Sequence, residues 1–166
     1  SAGLAEAVKM SLTSDADGFA LFEGGDVAAR LDEIIINALK IKKSVVEADE
    51  CEGGLRKVLN FGHTVGHGIE SAAGLGGLLH GECVALGMLP MCSKSVRARL
   101  IPVLERLSLP TRIEADVDVI LEAMGHDKKL DGEQITAVYV SEIGSFEFLK
   151  MPVSELKGQV REALEK

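Results

Sequence analysis

Hydrophobic side chains recur every three or four residues along most of the chain, and this pattern predicts a mainly helical fold. The predicted helices span 3–12, 26–49, 58–73, 81–99, 101–108, 116–124 and 153–165. Pro90 is expected to kink the fourth of these helices, and Gly18 to Gly25 is predicted to form a loop. Residues 135–141 and 145–150 resemble strands, with Gly144 in the turn between them. We therefore expect a mainly α, multi-helix domain with one small β-hairpin.

The longest predicted helix carries a lysine on its apolar side. Its hydrophobic stripe is formed at helical spacing by Leu31, Ile35, Ala38 and Val45. Lys42 falls on the same stripe. A buried ammonium group is costly unless an anion or a carboxylate meets it, so Lys42 is a candidate anion contact. The alternative is that its long side chain simply reaches the surface.

Composition narrows the class of protein. The 166 residues suffice for one domain with a substantial core, and hydrophobic residues make up 46% of them. The formal net charge of -8 argues against a nucleic-acid partner, which requires clustered Lys and Arg. Any anion site must therefore be a local pocket of positive charge. Three cysteines without a C-x-x-C spacing favour a reducing cytoplasm, and no apolar run is long enough to span a membrane.

Neither G-x-G-x-x-G nor a P-loop sequence occurs, so the chain gives no signal for a nucleotide site. Ser1 and Ala2 lead directly into a helical segment, which we interpret as the start of a piece of a longer protein.

A group of polar residues occurs at helical spacing around the third predicted helix. It consists of Arg56, Asn60, His63 and His67. On a helix these spacings place all the side chains on one face, and a solvated face is the ordinary explanation. However, glycine inside a helix costs about 1 kcal/mol relative to alanine. The intervening Gly62, Gly66 and Gly68 therefore favour a site that another backbone or a ligand approaches closely.

The histidines do not form a metalloprotease motif, because Thr64 occupies the position of the general base in H-E-x-x-H. A third histidine, His80, precedes the next apolar helix and is followed by Gly81 and Glu82. A lone histidine is more often structural, but two imidazoles and a carboxylate leave a coordination position open, as in catalytic zinc sites. The fourth histidine, His126, is given no role.

Two further groups of charges are ambiguous by spacing alone. Glu6 and Lys9 lie three residues apart on the first predicted helix, as an ordinary surface ion pair would. Lys128 and Lys129 follow Asp127 and are either an anion contact or the basic end of a helix.

Four motifs, taken in order, resemble the 3-dehydroquinate synthase family. They are GLAEAVK at 3–9, LRKVLNFGHTVGH at 55–67, LHGE at 79–82 and DKK at 127–129. The run N-F-G-H-T-x-G-H followed by L-H-G-E is highly specific, whereas the first and last motifs are weak alone. The run from Lys42 to Val46 and the pair Asp49 and Glu50 also fit. The resemblance covers essentially the whole chain and implies the C-terminal half of the dehydroquinate synthase-like fold.

This resemblance implies a metal site and a substrate site in one cleft. Glu6, His63 and His80 would bind a divalent ion, zinc or cobalt. Proton transfer would fall to His67 and Glu52. The residues that contact the phosphorylated sugar acid would be Lys9, Lys42, Arg56, Asn60 and Lys128, with Lys129 as the alternative to the last.

The implied reaction converts 3-deoxy-D-arabino-heptulosonate 7-phosphate into 3-dehydroquinate and phosphate, a lyase step of the shikimate pathway that uses NAD catalytically. Family members hold NAD on an N-terminal α/β domain that is absent from this chain. We therefore expect residues 1–166 to form a single helical metal- and substrate-binding domain that is inactive by itself. The full protein is expected to be a cytoplasmic homodimer.

Three alternatives stay open. Other sugar-phosphate cyclases share the metal ligands. Iron-type alcohol or glycerol dehydrogenases share the helical domain, but their first ligand is an aspartate where this chain has Glu6, and the basic residues would be unexplained. The non-enzyme alternative is a structural metal-binding helical module.

Overall fold

Helices make up most of the chain that the computed structural model describes, namely residues 2–51, 54–74, 77–113, 116–125 and 134–165. The α-helices are α1 (Ala2–Ser14), α2 (Ala16–Glu23), α3 (Leu31–Ala48), α4 (His63–Ala73), α5 (His80–Met88), α6 (Lys94–Arg106), α7 (Val117–Gly125) and α8 (Val153–Leu164). A 3-10 helix (Leu55–Asn60) precedes α4, and β1 (Gln134–Tyr139) pairs antiparallel with β2 (Glu147–Pro152). The prediction of a mainly helical fold with one hairpin is confirmed.

Helix α1 lies at the centre of the core. Its alanines and leucines are strong helix formers, and Ala5, Val8 and Leu12 are fully buried. α1 packs against α2, α3 and α5, and most of the buried apolar side chains among the described residues join it in one cluster. The hairpin is tied to α1 as well, because the Gly144 N–H of its turn donates to the Leu12 carbonyl at 2.8 Å. None of the helices in the described ranges is long and apolar enough to cross a membrane.

Helix α5 makes direct backbone contact with both α1 and α4. A Cβ at Gly81 would lie 2.0 Å from the Ala2 carbonyl oxygen of α1. A Cβ at Gly87 would lie 2.0 Å from the Gly62 carbonyl oxygen at the start of α4. Gly66 of α4 faces α5 in the same way, since a Cβ there would lie 3.0 Å from the Cys83 carbonyl oxygen. The expected close approach of another backbone is confirmed, and it holds the starts of α4 and α5 beside α1.

The predicted helix 58–73 is two elements, so the prediction that Arg56, Asn60 and the histidines share one helix face is wrong. Gly62 adopts a left-handed φ of +76°, which separates the 3-10 helix from α4 and prevents one continuous helix. Arg56 and Asn60 belong to the first element, whereas His63 and His67 belong to the second.

The predicted loop from Gly18 to Gly25 is mostly helix. α2 forms there because Phe19 and Phe22, three residues apart, are both buried in the core. Burial of two aromatic rings outweighs the low helix propensity of Gly18.

The predicted kinked helix 81–99 is also two helices, and the second of them takes in most of the predicted helix 101–108. α5 ends at Met88, just before Pro90. Cys92 then forms a parallel bridge with Val140, beyond the end of β1. α6 starts after Ser93, whose side-chain oxygen accepts the Val96 N–H at 3.3 Å.

The predicted apolar stripe of the long helix is correct at Ala38 and Val45, which pack on the core, and wrong at Leu31 and Ile35. The predicted start is also wrong, because α3 begins at Leu31 and not at residue 26. Ile34 and Val45 are the buried residues of α3, whereas Leu31 and Ile35 are 38% and 44% exposed. Lys42 is exposed, so it does not lie on the buried side of the helix.

Candidate metal and substrate site

Three polar side chains from separate helices converge where α1, α4 and α5 meet. Glu6 lies on α1, His63 is the first residue of α4, and His80 is the first residue of α5. One donor atom from each lies within 4.8 Å of the other two. The His63 and His80 ring centroids are 5.3 Å apart, and Glu6 Oε1 lies 3.7 Å from His63 Nε2. One carboxylate and two imidazoles in this arrangement can hold a divalent cation with a coordination position left open.

The hydrogen bonding of His63 decides which nitrogen faces this group. Its Nδ1 lies 3.1 Å from the Phe61 carbonyl oxygen, which can only accept, so Nδ1 carries the proton. The lone pair of Nε2 is then directed towards Glu6. Burial and, next, the positive charge of Lys9 lower the pKa of His63 below its ordinary value. The imidazole is therefore neutral near pH 7, which is the form that binds metal ions.

The Glu6 carboxylate has one satisfied and one unsatisfied oxygen. Oε2 accepts from Lys9 Nζ at 2.7 Å. Oε1 is buried and has no hydrogen-bond donor among the described residues. A buried carboxylate oxygen without a donor is unfavourable, and a cation between Glu6, His63 and His80 would supply the missing partner. The side chains present therefore fit a metal ion.

Lys9 is not part of a surface ion pair, so the interpretation that spacing alone favoured is wrong. The residue is only 2% exposed, and its Nζ contacts both Glu6 and the Leu59 carbonyl oxygen, each at 2.7 Å. Burial lowers the pKa of Lys9, although the Glu6 carboxylate opposes this shift. Lys9 thus joins α1 to the 3-10 helix and orients the Glu6 carboxylate.

A cavity of about 780 Å³ is lined by Glu6 and His63, two of the three converging side chains. Its walls include all the predicted substrate residues that the structure describes, which are Lys9, Lys42, Arg56 and Asn60. Lys57 also lines the cavity, although the sequence analysis did not predict it as a site residue. Residues three apart stack in a 3-10 helix, so Lys57 lies beside Asn60. Four cations thus face one carboxylate, Glu6, in a protein of net charge -8.

Asp49 connects the elements that carry the basic residues. Its Oδ2 accepts the Gly54 N–H at 2.8 Å and the Arg56 N–H at 2.9 Å, at the start of the 3-10 helix. Asp49 directly follows α3, which carries Lys42. This side chain therefore positions the two helices that form one wall of the cavity.

The β-hairpin also lines the cavity. Thr136 on β1 and Phe148 on β2 are among the lining residues. Neither residue was predicted as part of a site, because nothing in the alternation of a strand indicates which helices will pack beside it.

The other predicted residues do not line the cavity or lie outside the described residues. His67 is exposed and does not line the cavity, but its ring centroid lies 5.5 Å from that of His63. Glu70, one turn further along α4, was missed; its Oε2 lies 3.3 Å from His80 Nδ1. Glu52, Lys128 and Lys129 were predicted as site residues and lie outside the described residues.

Comparison with solved structures identifies the class of fold. A 2-epi-5-epi-valiolone synthase from Streptomyces hygroscopicus, solved with NAD+ and Zn2+ bound, matches 98% of this chain and 50% of its own, with a TM-score of 0.82 and 23% identity. A 2-deoxy-scyllo-inosose synthase complexed with carbaglucose-6-phosphate, NAD+ and Co2+ matches 98% and 51%, with a TM-score of 0.81 and 24% identity. The fold is thus that of the sugar-phosphate cyclase-like synthases.

Sequence comparison then identifies the family. The family described as 3-dehydroquinate synthase C-terminal matches residues 3–130. A curated 3-dehydroquinate synthase of Enterococcus faecalis is 36% identical over 93% of this chain and 47% of its own, and one from Streptococcus thermophilus is 35% identical over 93% and 48%. The chain belongs to the 3-dehydroquinate synthase C-terminal family. It spans about half the length of the curated relatives it matches.

Proposed function

We propose that this chain is the metal- and substrate-binding part of a 3-dehydroquinate synthase, which converts 3-deoxy-D-arabino-heptulosonate 7-phosphate into 3-dehydroquinate and phosphate. The observation that carries the proposal is the convergence of Glu6, His63 and His80 beside a basic cavity, with Glu6 Oε1 buried and lacking a donor. Relatives at 35–36% identity that are named for this reaction support the choice of substrate.

Glu6, His63 and His80 would hold a divalent ion, zinc or cobalt. When bound, such an ion acts as a Lewis acid that polarises a hydroxyl or carbonyl oxygen of the substrate. Lys9 holds the Glu6 carboxylate, and the Phe61 carbonyl holds His63, so two of the three donors are oriented before any ligand arrives. The Zn2+ and Co2+ in the two solved synthases support this assignment.

The basic wall of the cavity would bind the anionic groups of the substrate. A phosphate dianion and a carboxylate carry about three negative charges near pH 7, and the cations Lys9, Lys42, Arg56 and Lys57 neutralise them. The Asn60 amide would donate to the same ligand. Lys128, or its neighbour Lys129, would bind the same anionic groups.

Proton transfer would fall to His67, whose ring lies one turn along α4 from His63, together with Glu52. NAD, which accepts a hydride from the substrate and returns it, would be held by the part of the relatives that this chain does not match. A homodimer of the whole protein is part of the same proposal.

Replacing Lys42 by glutamine is expected to weaken binding of the heptulosonate phosphate to the zinc-loaded chain by about tenfold. A charge-assisted hydrogen bond contributes about 1.5–3 kcal/mol, and the exposure of Lys42 favours the lower end. Calorimetric titration measures the change. Lys43→Gln is the matched control, because Lys43 is the next residue of α3 but its side chain is 73% exposed beside Glu47. Equal losses for both variants would mean that Lys42 acts only through the overall charge.

The reaction itself is tested in a fusion. The N-terminal half of the Enterococcus faecalis relative, which this chain does not match, is joined to residues 1–166 and supplied with NAD and zinc. We expect phosphate and 3-dehydroquinate to appear in equal amounts, and the same fusion with His63→Ala to be inactive. The unfused chain is expected to release no phosphate.

Product analysis also separates the alternatives. A fusion that ignores the heptulosonate phosphate but cyclises another sugar phosphate would assign the chain to a different cyclase. Oxidation of a simple alcohol or glycerol would instead support an iron-type dehydrogenase. Zinc binding by a properly folded fusion without any of these activities would leave the structural metal-binding module.

A further inference from the structure

His80 is the least constrained of the three proposed metal ligands. It is the first residue of α5, and its side chain is 49% exposed, whereas that of His63 is 16% exposed. The backbone around it is well anchored, because the Leu79 N–H donates to Glu82 Oε2 at 2.8 Å and Gly81 lies against α1. An anchored backbone does not fix the ring, so the imidazole needs a separate contact to hold its orientation.

Glu70 supplies that contact. Its Oε2 lies 3.3 Å from His80 Nδ1, and the residue is located on α4, three positions after His67. A carboxylate accepts hydrogen bonds, so this contact places the proton of the neutral ring on Nδ1 and leaves the lone pair on Nε2. Glu70 therefore selects both the tautomer and the orientation of His80.

The same arrangement recurs at the other imidazole. The Phe61 carbonyl contacts Nδ1 of His63, as the Glu70 carboxylate contacts Nδ1 of His80. Each ring is thus held through Nδ1 by an acceptor at or near α4, and each has Nε2 left to bind an ion. The same hydrogen-bonding arrangement at both imidazoles indicates that both rings are oriented to bind one ion.

Stability does not account for the Glu70 contact. Both side chains are close to half exposed, and exposed ion pairs contribute little to folding. In the part of the chain that the structure describes, His80 is also the only basic side chain within ion-pair distance of Glu70.

We propose that Glu70 is a positioning residue that orients His80 for metal binding and increases the affinity of the site. This inference rests on the proposed metal site of Glu6, His63 and His80. Glu70 acts through His80 and does not itself touch the ion. The loss of such a partner lowers metal affinity by about 10- to 100-fold.

The test uses the chain of 166 residues, titrated with zinc against a competing chromophoric chelator and, separately, with cobalt. We expect Glu70→Ala, which removes the acceptor, to bind one zinc about 10- to 100-fold more weakly and to change the visible absorption of bound cobalt. Its melting temperature without metal should equal that of the unmodified chain. Glu122→Ala, which removes the same side chain from an exposed position on α7, should change neither zinc affinity nor the cobalt absorption.

A double-mutant cycle shows whether Glu70 acts through His80. If it does, Glu70→Ala causes no further loss of zinc affinity in a chain that already carries His80→Ala. An equal loss in both backgrounds would overturn the inference, as would an unchanged affinity and cobalt spectrum in the single variant.

Two other outcomes have separate meanings. His67, Glu70 and His80 also bring donor atoms within 4.8 Å of one another. Binding of two zinc ions, of which Glu70→Ala abolishes only the weaker, would overturn the positioning role and make Glu70 a ligand. An unmodified chain that binds no zinc would refute the proposed metal site itself, whereas normal binding by Glu70→Ala would refute the positioning role alone.

Discussion

Replacing His63 by alanine is expected to weaken zinc binding by more than about 100-fold. Loss of a side chain that only orients a metal ligand already lowers metal affinity by about 10- to 100-fold, and His63 is proposed to bind the ion directly. The change removes the only proposed ligand nitrogen that is both largely buried and fixed by a backbone carbonyl. Zinc titration against a chelator, with the protein at constant concentration, measures the effect.

The physical reason lies in the state of the site before metal arrives. The Nε2 lone pair of His63 and the unsatisfied Oε1 of Glu6 already face each other at 3.7 Å. Little reorganisation is required, because Lys9 and the Phe61 carbonyl hold both groups. Without the imidazole, a carboxylate and the more exposed His80 remain as the only proposed ligands.

His67→Ala is the matched control, since it removes the same side chain one turn further along α4. If Glu6, His63 and His80 hold the ion, His67→Ala should change zinc affinity by only a few fold. The opposite ranking, with His67→Ala more damaging than His63→Ala, would place the ion among His67, Glu70 and His80 and contradict the proposed site.

Replacing Gly87 by alanine is expected to destabilise the metal-free chain by about 3 kcal/mol or more. The new Cβ would lie 2.0 Å from the Gly62 carbonyl oxygen and 2.7 Å from the Gly66 nitrogen. Both are backbone atoms, so no side-chain rotation can relieve the overlap, and α5 must move away from α4. Urea denaturation measures the loss. Zinc affinity should fall as well, because α5 carries His80.

Gly158→Ala provides the control for the glycine substitution. Gly158 lies within α8, and a Cβ there meets nothing within 4 Å. Alanine has the higher helix propensity, so this variant should be more stable by about 0.5–1 kcal/mol. A Gly87→Ala chain that is as stable as the unmodified protein would mean that α4 and α5 do not touch through their backbones.

Features that depend on local signals were predicted from the sequence, and features that depend on distant contacts were not. The hairpin was predicted to within about two residues, because strand composition and the glycine turn are local signals. Helix α2 was missed, because Gly18 indicated a loop while the burial of Phe19 and Phe22 depends on how α2 packs against α1, α3 and α6. The break at Pro90 was predicted as a kink, and contact with Val140 turned it into a complete end.

The error in α3 has a different cause. Ile34, Ile35 and Ile36 are consecutive, so several apolar stripes fit the sequence almost equally well. Packing against α1 and the 3-10 helix selected the stripe that contains Ile34 and Val45. Lys42 consequently lies exposed at the cavity, and its predicted place in the substrate site stays a proposal while its predicted burial is wrong.

Taken by itself, the order of residues determined the kind of chemistry available. Imidazoles, a carboxylate and several cations occur in motifs whose donor types suit a metal ion and a phosphate, and this depends only on side-chain identity. Only the tertiary structure decided that Glu6 meets His63 and His80, that Lys9 is buried, and that Glu70 faces His80. Those contacts join segments far apart in the chain. They exist because glycines let three helix backbones touch, and no local pattern records which backbones will meet.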